Sequence, residues 1–243
     1  MHPLLRLVSW SLVFSFAAAL PAVGDTVVIQ SGIDTAPYSF LPNLVRGNNA
    51  AVYAFQSVSD DGTNHDFETY VRFDVSAADI PPGQVLTEAS LVTTYAFDFS
   101  GFGETSNEPG VIDCREVLEP WSDTTLTWNN RPVSDLPFDT ITQIDSFGAL
   151  ICDATAVVEG WIYGLAPNHG FAMTSETGRV IGMHSFEADV SPSLQPTLVL
   201  TTEVPEPGVA MGLASGLLLL GTLSRRRAGS GRAARIAATR RLL

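Results

Sequence analysis

The chain has 243 residues, 45% of them hydrophobic, and a formal net charge of −13. This length suits one folded domain with short targeting segments. All 26 acidic residues lie between Asp25 and Glu206, together with only five arginines, so this stretch alone carries a charge of −21. Such a surface repels nucleic acid and anionic lipid, and it repels an acidic polysaccharide unless a cation bridges the two. No nucleic-acid partner is therefore expected.

Residues 1–24 have the three parts of a secretory signal peptide. Arg6 supplies the positive charge, 7–20 form the apolar segment, and Ala22 and Gly24 are small residues at the positions that precede a cleavage site. We expect cleavage before Asp25, because the apolar segment is short and ends at a proline. The alternative is a retained N-terminal anchor.

Residues 25–203 contain short β-like runs separated by clusters of Gly, Pro, Asn and Asp. Strands are predicted, in chain order, at 26–29, 51–58, 68–75, 85–97, 111–118, 171–174, 180–186 and 197–202, with a short extended piece at 125–128. The alternation is clearest in 68–75, where Val71, Phe73 and Val75 share one face. Residues 31–49 and 133–147 are predicted to be loops.

One helix is predicted in this domain, at 153–161, with Asp153 capping its first turn and with Val157 and Trp161 on one face. Many short strands, frequent turn signals and little helix are typical of an antiparallel two-sheet sandwich. The predicted fold is therefore an all-β, jelly-roll-like sandwich with one short helix. A signal-peptide helix precedes it and a transmembrane helix follows it.

Two cysteines, Cys114 and Cys152, lie within the predicted domain. An even pair in an exported domain indicates one disulfide bond. The alternative is two buried free thiols on unrelated strands. A metal site is not indicated, because no CxxC pair or paired histidines accompany them.

Several short pieces, taken together, resemble the DNRLRE domain, a β-sandwich family that overlaps a family of carbohydrate-binding modules. The pieces are 72–76 (RFDVS), 80–85 (IPPGQV), 89–91 (ASL), 119–122 (EPWS), 126–132 (LTWNNRP), 153–161 (DATAVVEGW), 168–171 (NHGF), 185–187 (SFE) and 196–198 (PTL). The sequence departs from that pattern in the long loop 31–49 and at Asp123, where the family more often has Glu. The resemblance implies a jelly-roll-like sandwich that binds an extracellular polysaccharide, such as an alginate-type polymer.

Tryptophans are the first candidates for a sugar-binding surface, because exposed aromatic rings stack on sugars. Trp121 and Trp161 are expected in the core, since tryptophans within a fold pattern are usually buried. For Trp128 both a core position and a sugar-binding position stay open, and we keep it as a candidate ligand-binding residue. Its neighbours Asn129, Asn130 and Arg131 offer hydrogen-bond donors to hydroxyl or carboxylate groups, or they form a turn.

No cofactor is predicted from the sequence, and calcium is the one candidate. The loop 60–66 (DDGTNHD) gathers hard oxygen ligands, of which the candidates are Asp60, Asp61, Asn64 and Asp66. The spacing differs from that of an EF-hand loop, and acidic loops are common on so negative a surface. No catalytic residues are predicted, because no nucleophile, phosphate-binding or dinucleotide motif is present.

The final segment, 204–243, has the features of a membrane anchor. It begins with a proline-rich motif formed by Val204, Pro205, Glu206 and Pro207. An uncharged apolar run follows at 208–224, close to the lower limit for a spanning helix, which is about 17 residues. Three arginines end it, and basic residues stay in the cytoplasm: Arg225, Arg226 and Arg227. A transmembrane helix at 208–224 with a cytoplasmic tail at 225–243 is therefore predicted.

This order of Pro-Glu-Pro motif, short apolar helix and arginine cluster resembles the PEP-CTERM sorting signal of Gram-negative bacteria. The resemblance implies that the chain is exported, held in the inner membrane, and then processed by an exosortase for the cell surface or the extracellular space. The tail after Arg227 is longer than is usual in such signals.

The sequence thus indicates a non-enzymatic protein, structural or polysaccharide-binding, of an extracellular matrix. Its expected partners are an exosortase, an exopolysaccharide and, through the C-terminal helix, the membrane. Two alternatives remain open at this point: a polysaccharide lyase or glycoside hydrolase, and an adhesin that binds a protein.

Overall fold

A computed structural model describes residues 24–47, 49–54, 65–97, 109–144, 146–175 and 180–205. Val23–Val204 forms one compact unit. The predicted signal peptide and transmembrane segment lie outside the described residues, so both stay predictions. Within the described ranges, no helix has the length and apolar character needed to cross a membrane.

Eleven strands and one α-helix make up the described part of the domain. The strands are β1 (Asp25–Gln30), β2 (Ile33–Thr35), β3 (Ala51–Ala54), β4 (Thr69–Arg72), β5 (Val85–Phe97), β6 (Gly110–Val117), β7 (Ser134–Ile144), β8 (Gly148–Asp153), β9 (Phe171–Thr174), β10 (Ile181–His184) and β11 (Thr197–Glu203). The helix α1 spans Thr155–Ile162, between β8 and β9. The N-cap residue is Ala154, which makes no side-chain capping bond, and Asp153 lies one residue before it, where its Oδ1 accepts hydrogen bonds from the backbone and the side chain of Thr155.

The strands form two antiparallel sheets. One has six strands, ordered β1-β11-β5-β10-β3, with β8 also pairing with β5, and the other has five strands, ordered β2-β4-β9-β6-β7. The first and last strands pair along their whole length, from Asp25 opposite Thr202 to Gln30 opposite Thr197. This arrangement confirms the predicted antiparallel two-sheet sandwich with one helix.

The main core lies between the two sheets, and β4 and β5 show how the sequence places it. Val71 on β4, with Phe73 and Val75 just beyond its end, belongs to this core, as the alternation predicts. Ala89 and Leu91 reach the same core from β5. Because neighbouring side chains on a strand point to opposite faces, one correctly assigned residue fixes the orientation of the whole strand.

A second, smaller core covers the outer face of the five-stranded sheet. The segment 118–133, here called the cover segment, brings Trp121 and Leu126 against Tyr70, Val117 and Ala172. Trp121 also donates a hydrogen bond from Nε1 to the His169 carbonyl at 2.7 Å. The outward face of β4 is therefore buried by a loop rather than exposed to solvent.

The predicted disulfide between Cys114 and Cys152 is present, with 6.5 Å between the two Cα atoms. This separation lies within the usual range for disulfides. The bond joins β6 of the five-stranded sheet to β8 of the six-stranded sheet. It therefore fastens the two layers of the sandwich together, which in the chain-entropy picture is worth roughly 3–4 kcal/mol.

Three parts of the predicted secondary structure are wrong. Residues 133–147, expected to be a loop, contain β7, and 31–49 contain β2. β7 lies at a sheet edge, where Pro137 is tolerated and the apolar alternation is weak. The stretch 125–128 forms no strand: Thr125 lies in a turn, Thr127 has extended dihedral angles, and Trp128 begins a single 3-10 turn at Trp128–Asn130.

Candidate functional site

The predicted ligand-binding turn, Trp128 to Arg131, is built largely from its own hydrogen bonds. Asn130 Oδ1 accepts from the Thr127 amide at 2.6 Å and from its hydroxyl at 2.8 Å. Asn130 Nδ2 donates to the Thr125 carbonyl at 3.0 Å. These three bonds fix the turn, so the side chain of Asn130 acts inside the protein rather than toward a ligand.

Arg131 is also occupied within the turn. Its guanidinium carbon lies 3.8 Å from the centroid of the Trp128 ring, an arrangement favourable for a cation–π contact. Its Nη1 donates to the Trp128 carbonyl at 2.8 Å, and its Nε lies 3.3 Å from a Glu68 carboxylate oxygen. One face of the half-exposed Trp128 ring is thus covered by a cation that is itself paired.

Tyr70, on β4, is the buried member of this cluster. Its hydroxyl donates to the same Glu68 carboxylate at 2.6 Å. Burial, and then the nearby Glu68 charge, raise the pKa of Tyr70, so its hydroxyl keeps its proton and stays a donor. The candidate residue Arg131 is therefore connected through Glu68 to the second core.

Asn129 is the member of the turn that reaches outward, and it contacts the loop 38–45, here called the aromatic loop. Its backbone amide donates to the Pro42 carbonyl at 3.1 Å, and its Nδ2 donates to Asn43 Oδ1 at 2.9 Å. The aromatic loop and the predicted turn therefore form one continuous surface. Sequence reasoning treated 31–49 only as a loop and missed this.

The aromatic loop exposes an unusual amount of apolar side chain. The exposed fractions are 53% for Phe40, 45% for Leu41, 44% for Leu44 and 40% for Val45. Single exposed apolar residues are normal, but a cluster of this kind marks an interaction surface. A signal in the sequence was two aromatic and three aliphatic residues within a loop that also holds proline and asparagine.

Stacked rings hold this loop in place. Tyr38 is buried and lies parallel to Phe67, with ring centroids 4.2 Å apart. Phe40 lies nearly parallel to His65 at 5.1 Å, and the Tyr38 hydroxyl is 2.6 Å from His65 Nδ1. The exposed ring of Phe40 is thus supported on one side and open to solvent on the other.

A cleft of about 270 Å³ adjoins the aromatic loop, and Val45, Arg46, Gly47 and Asp123 are among the residues that line it. Gly47 is required there, because a Cβ atom would lie 2.3 Å from the Asp123 carbonyl oxygen. The cover segment therefore lies in close backbone contact with Gly47, just after the aromatic loop, on one side of this cleft.

An unusual carboxyl group, Asp34 on β2, lies near the same region. It is 1% exposed, and its Oδ2 accepts from the Phe186 amide at 2.6 Å. Burial, opposed by this hydrogen bond and reinforced by Glu187 and Asp123, raises the pKa of Asp34 to about 8. The sequence did not identify Asp34, because its neighbours come from distant parts of the chain.

The other candidates have mixed outcomes. Trp121 and Trp161 are buried, as expected, and Trp161 Nε1 donates to Glu116 at 2.7 Å.

Of the predicted calcium residues, Asp60, Asp61 and Asn64 lie outside the described residues. Asp66 is described, and its amide donates to the Ser39 hydroxyl at 2.7 Å. The described ranges contain no group of three or more His, Cys, Asp or Glu residues able to hold a metal ion.

Of the sorting motif, the structure describes Val204 and Pro205, both exposed just after β11. Glu206, Pro207 and the arginines 225–227 lie outside the described residues. The sorting signal therefore stays a prediction.

A two-sheet antiparallel sandwich hosts many unrelated functions, so the fold alone does not assign one to this chain. The sequence profile of carbohydrate-binding module family 96 matches residues 20–202. This chain therefore belongs to carbohydrate-binding module family 96. Such a module is a binding domain and has no catalytic role of its own, in agreement with the expected absence of catalysis.

A comparison with curated proteins finds no match for the chain. The family and the interlayer disulfide together indicate an extracellular or secreted protein, since disulfides form and persist in oxidising compartments.

Proposed function

We propose that residues 25–203 bind an extracellular polysaccharide through the aromatic loop and the adjoining turn. Membership of a carbohydrate-binding module family supports this class of ligand. The choice of surface depends on one observation, the half-exposed Phe40 ring stacked on His65. A ring that is already held in place loses little conformational entropy when a sugar stacks on it.

Polar groups beside Phe40 complete the surface. Asn43 and Asn129 share one hydrogen bond, between Nδ2 of Asn129 and Oδ1 of Asn43. An amide side chain has two donor hydrogens and an acceptor oxygen, so this bond leaves capacity on both residues for sugar hydroxyls. An exposed apolar surface around Phe40 with a few fixed polar groups beside it suits a carbohydrate.

The charge of the domain favours a neutral polysaccharide. Residues 25–206 carry a charge of −21, and Arg131, the basic residue of the turn, already pairs with Glu68. A polyanion such as an alginate-type chain approaches this surface against repulsion unless divalent cations bridge it. We therefore expect uronic-acid polymers to bind only when such cations are present.

A glycan array with the full chain tests this proposal, run against neutral and uronic-acid polysaccharides with and without Ca²⁺. Phe40→Ala should weaken binding about tenfold, equal to about 1.4 kcal/mol. Phe147→Ala is the matched control, because this ring is 62% exposed but lies beside Tyr95, outside the aromatic loop. Equal losses in both variants, or no loss in Phe40→Ala, would rule out the aromatic loop as the binding surface.

We infer further that the chain is exported through its leader and sorted through its C-terminal segment. The predicted leader at 1–24, the disulfide and the Pro-Glu-Pro motif support this route. In this proposal the helix at 208–224 holds the chain in the inner membrane until an exosortase acts at 205–207. The role of the released or surface-held domain is then non-enzymatic, within an extracellular matrix.

The sorting route is tested by replacing Pro205 and Pro207 together with alanine. The double variant should accumulate as full-length protein in the inner membrane, which immunoblots of cell fractions would detect. A double Ala variant at Pro192 and Pro196, which lie outside the motif, is the control. Unchanged processing of the motif variant would contradict the sorting proposal.

A further inference from the structure

The cleft beside the aromatic loop is lined by two side chains of opposite charge, Arg46 and Asp123. Their segments touch at Gly47, where a Cβ atom would lie 2.3 Å from the Asp123 carbonyl oxygen and 2.8 Å from the Asp123 Cβ. Among the described residues, however, no ion pair joins Arg46 to Asp123. Both charged groups are therefore available to a molecule that enters the cleft.

Arg46 is held in place while its side-chain donors lack protein acceptors. Its guanidinium carbon lies 5.5 Å from the centroid of the Phe67 ring, and its carbonyl accepts from Asn49 Nδ2 at 2.9 Å. Its Nε is buried without a hydrogen-bond partner. The two outer nitrogens are not buried in this way, and no described residue accepts a hydrogen bond from them. They remain free to donate to a ligand.

Asp123 supplies an acceptor on the same cleft. Its Oδ1 accepts from the Thr124 amide at 2.9 Å and from the Ser122 hydroxyl at 3.2 Å. These two bonds fix the carboxylate and engage one of its oxygens. No described residue donates to Oδ2, which leaves that oxygen for a ligand.

The chemistry of the two side chains selects the kind of molecule that fits between them. A guanidinium only donates hydrogen bonds and a carboxylate only accepts them, whereas a hydroxyl group does both. A ligand with a negative charge would be repelled by Asp123, and one with a positive charge by Arg46. A cleft of about 270 Å³ lies just below the usual range for drug-sized ligands, about 300–1,000 Å³, so it suits a single sugar ring.

We propose that this cleft holds one neutral sugar unit, with Arg46 donating to one hydroxyl and Asp123 Oδ2 accepting from a neighbouring hydroxyl. The inference rests on the proposed polysaccharide binding, and it names the residues that choose the polymer. Val45 lines the cleft and also belongs to the aromatic loop, so the two surfaces are continuous. Asp123 would exclude a uronic-acid unit from this position.

The test is isothermal titration calorimetry of the full chain at pH 7 in EDTA, which removes bridging cations. The probes are hexasaccharides of glucose, mannose, galactose and mannuronic acid. The wild-type chain should bind at least one neutral probe, and mannuronic acid more weakly. Asp123→Asn should weaken the neutral probe about tenfold, since an acceptor becomes a donor. The same change should strengthen mannuronic acid about tenfold, because a like charge is removed.

Two further variants complete the test. Arg46→Gln should weaken the neutral probe about tenfold. Asp135→Asn is the matched control for Asp123→Asn, because this carboxylate is exposed and accepts from the adjacent Leu136 amide, and it should leave all affinities unchanged. Asp123→Asn keeps an oxygen that can accept from Thr124 and Ser122, so its unfolding midpoint should stay near that of the wild-type chain.

The outcomes distinguish this inference from the proposed function. A wild-type chain that binds none of the four probes overturns both. Neutral binding that is lost in Phe40→Ala but kept in Asp123→Asn and Arg46→Gln overturns the cleft alone. Equal losses for neutral and acidic probes in Asp123→Asn would mean a structural role and also overturn it. Neutral binding that is lost in the cleft variants but kept in Phe40→Ala supports the cleft and excludes the aromatic loop.

Discussion

The aromatic loop (38–45) and the turn at 127–131 lie against each other, but the side chains of the turn bond to the protein whereas those of the loop face solvent. In the turn, Asn130 and Arg131 spend their hydrogen-bonding groups on the protein itself. In the loop, Phe40 and its aliphatic neighbours leave large apolar areas open to solvent. The comparison shows that a residue type suited to binding a ligand is not available for it when its polar groups already bond to the protein.

Substitutions in the turn and in the loop should therefore affect different properties, stability in the first case and ligand affinity in the second. Changes in the turn should mainly lower the free energy of unfolding, because its side chains hold the fold. Changes to the exposed loop residues should mainly lower ligand affinity, because surface substitutions away from special features alter stability by about 0.5 kcal/mol or less.

The largest effect is expected from Phe67→Ala, which removes the buried ring beneath the aromatic loop. Phe67 is stacked on Tyr38 and lies 5.5 Å from the Arg46 guanidinium, so its loss leaves a cavity and frees the base of the loop. Large-to-small changes of this kind cost about 3–5 kcal/mol. Urea unfolding measures the cost, with Phe40→Ala as the control. A similar small cost for both variants would mean that the loop is not anchored through Phe67.

A smaller effect is expected from pH, through Asp34. Its pKa is about 8 in the folded chain, above the 3.8 of an ordinary aspartate, so the folded state binds this proton more tightly than the unfolded state. Its contribution to stability is therefore fully present below about pH 4 and is lost as pH rises through about 8, on the order of a few kcal/mol at most.

Urea unfolding in EDTA at pH 5 and pH 8.5 measures this loss. The Asp34→Asn variant, which cannot ionise, should show a flatter dependence over the same range. The exposed-site variant Asp135→Asn should keep the slope of the wild-type chain. Identical slopes in all three proteins would exclude Asp34 as the titrating group.

The smallest effect is expected from Asn130→Ala in the turn. The change removes a side chain that accepts from Thr127 and donates to Thr125, which is comparable to losing a helix cap. Such losses cost about 0.5–2 kcal/mol. Thermal unfolding measures this, and polysaccharide affinity should change little. An unchanged midpoint combined with a clear loss of affinity would instead make Asn130 a ligand-binding residue and remove the contrast between the two regions.

The sandwich and its core were predictable because they depend on periodicity. Val71, Phe73 and Val75 alternate with Arg72 and Asp74, and β5 spans the predicted range 85–97. β7 could not be found in this way, since an edge strand has one free side and can carry Pro137 and two aspartates. The disulfide between Cys114 and Cys152 was predictable because they are the two cysteines of a domain that is expected to be exported.

The candidate site was predictable only in part, because exposure and long-range proximity leave no local pattern. Trp128 and Asn129 were identified by residue type, and they do lie at the surface in question. Phe40 was missed because the grouped apolar residues of the loop do not show which of their side chains are exposed. Asp34 was missed because Glu187 and Asp123 reach it only after β2, the cover segment and the residues after β10 have come together.

The pairing of β1 with β11 has a mechanical consequence. The chain leaves the domain after Glu203, beside Asp25, whereas the opposite end of β11, at Thr197, adjoins Ser31 and the segment that leads to Asp34. In a chain that is tethered at its C-terminus and binds a polymer through the aromatic loop, which follows β2, tension runs along β11, a length of roughly 24 Å. The hydrogen bonds to β1 and β5 lie across that direction, so they resist in shear and must break together rather than one after another.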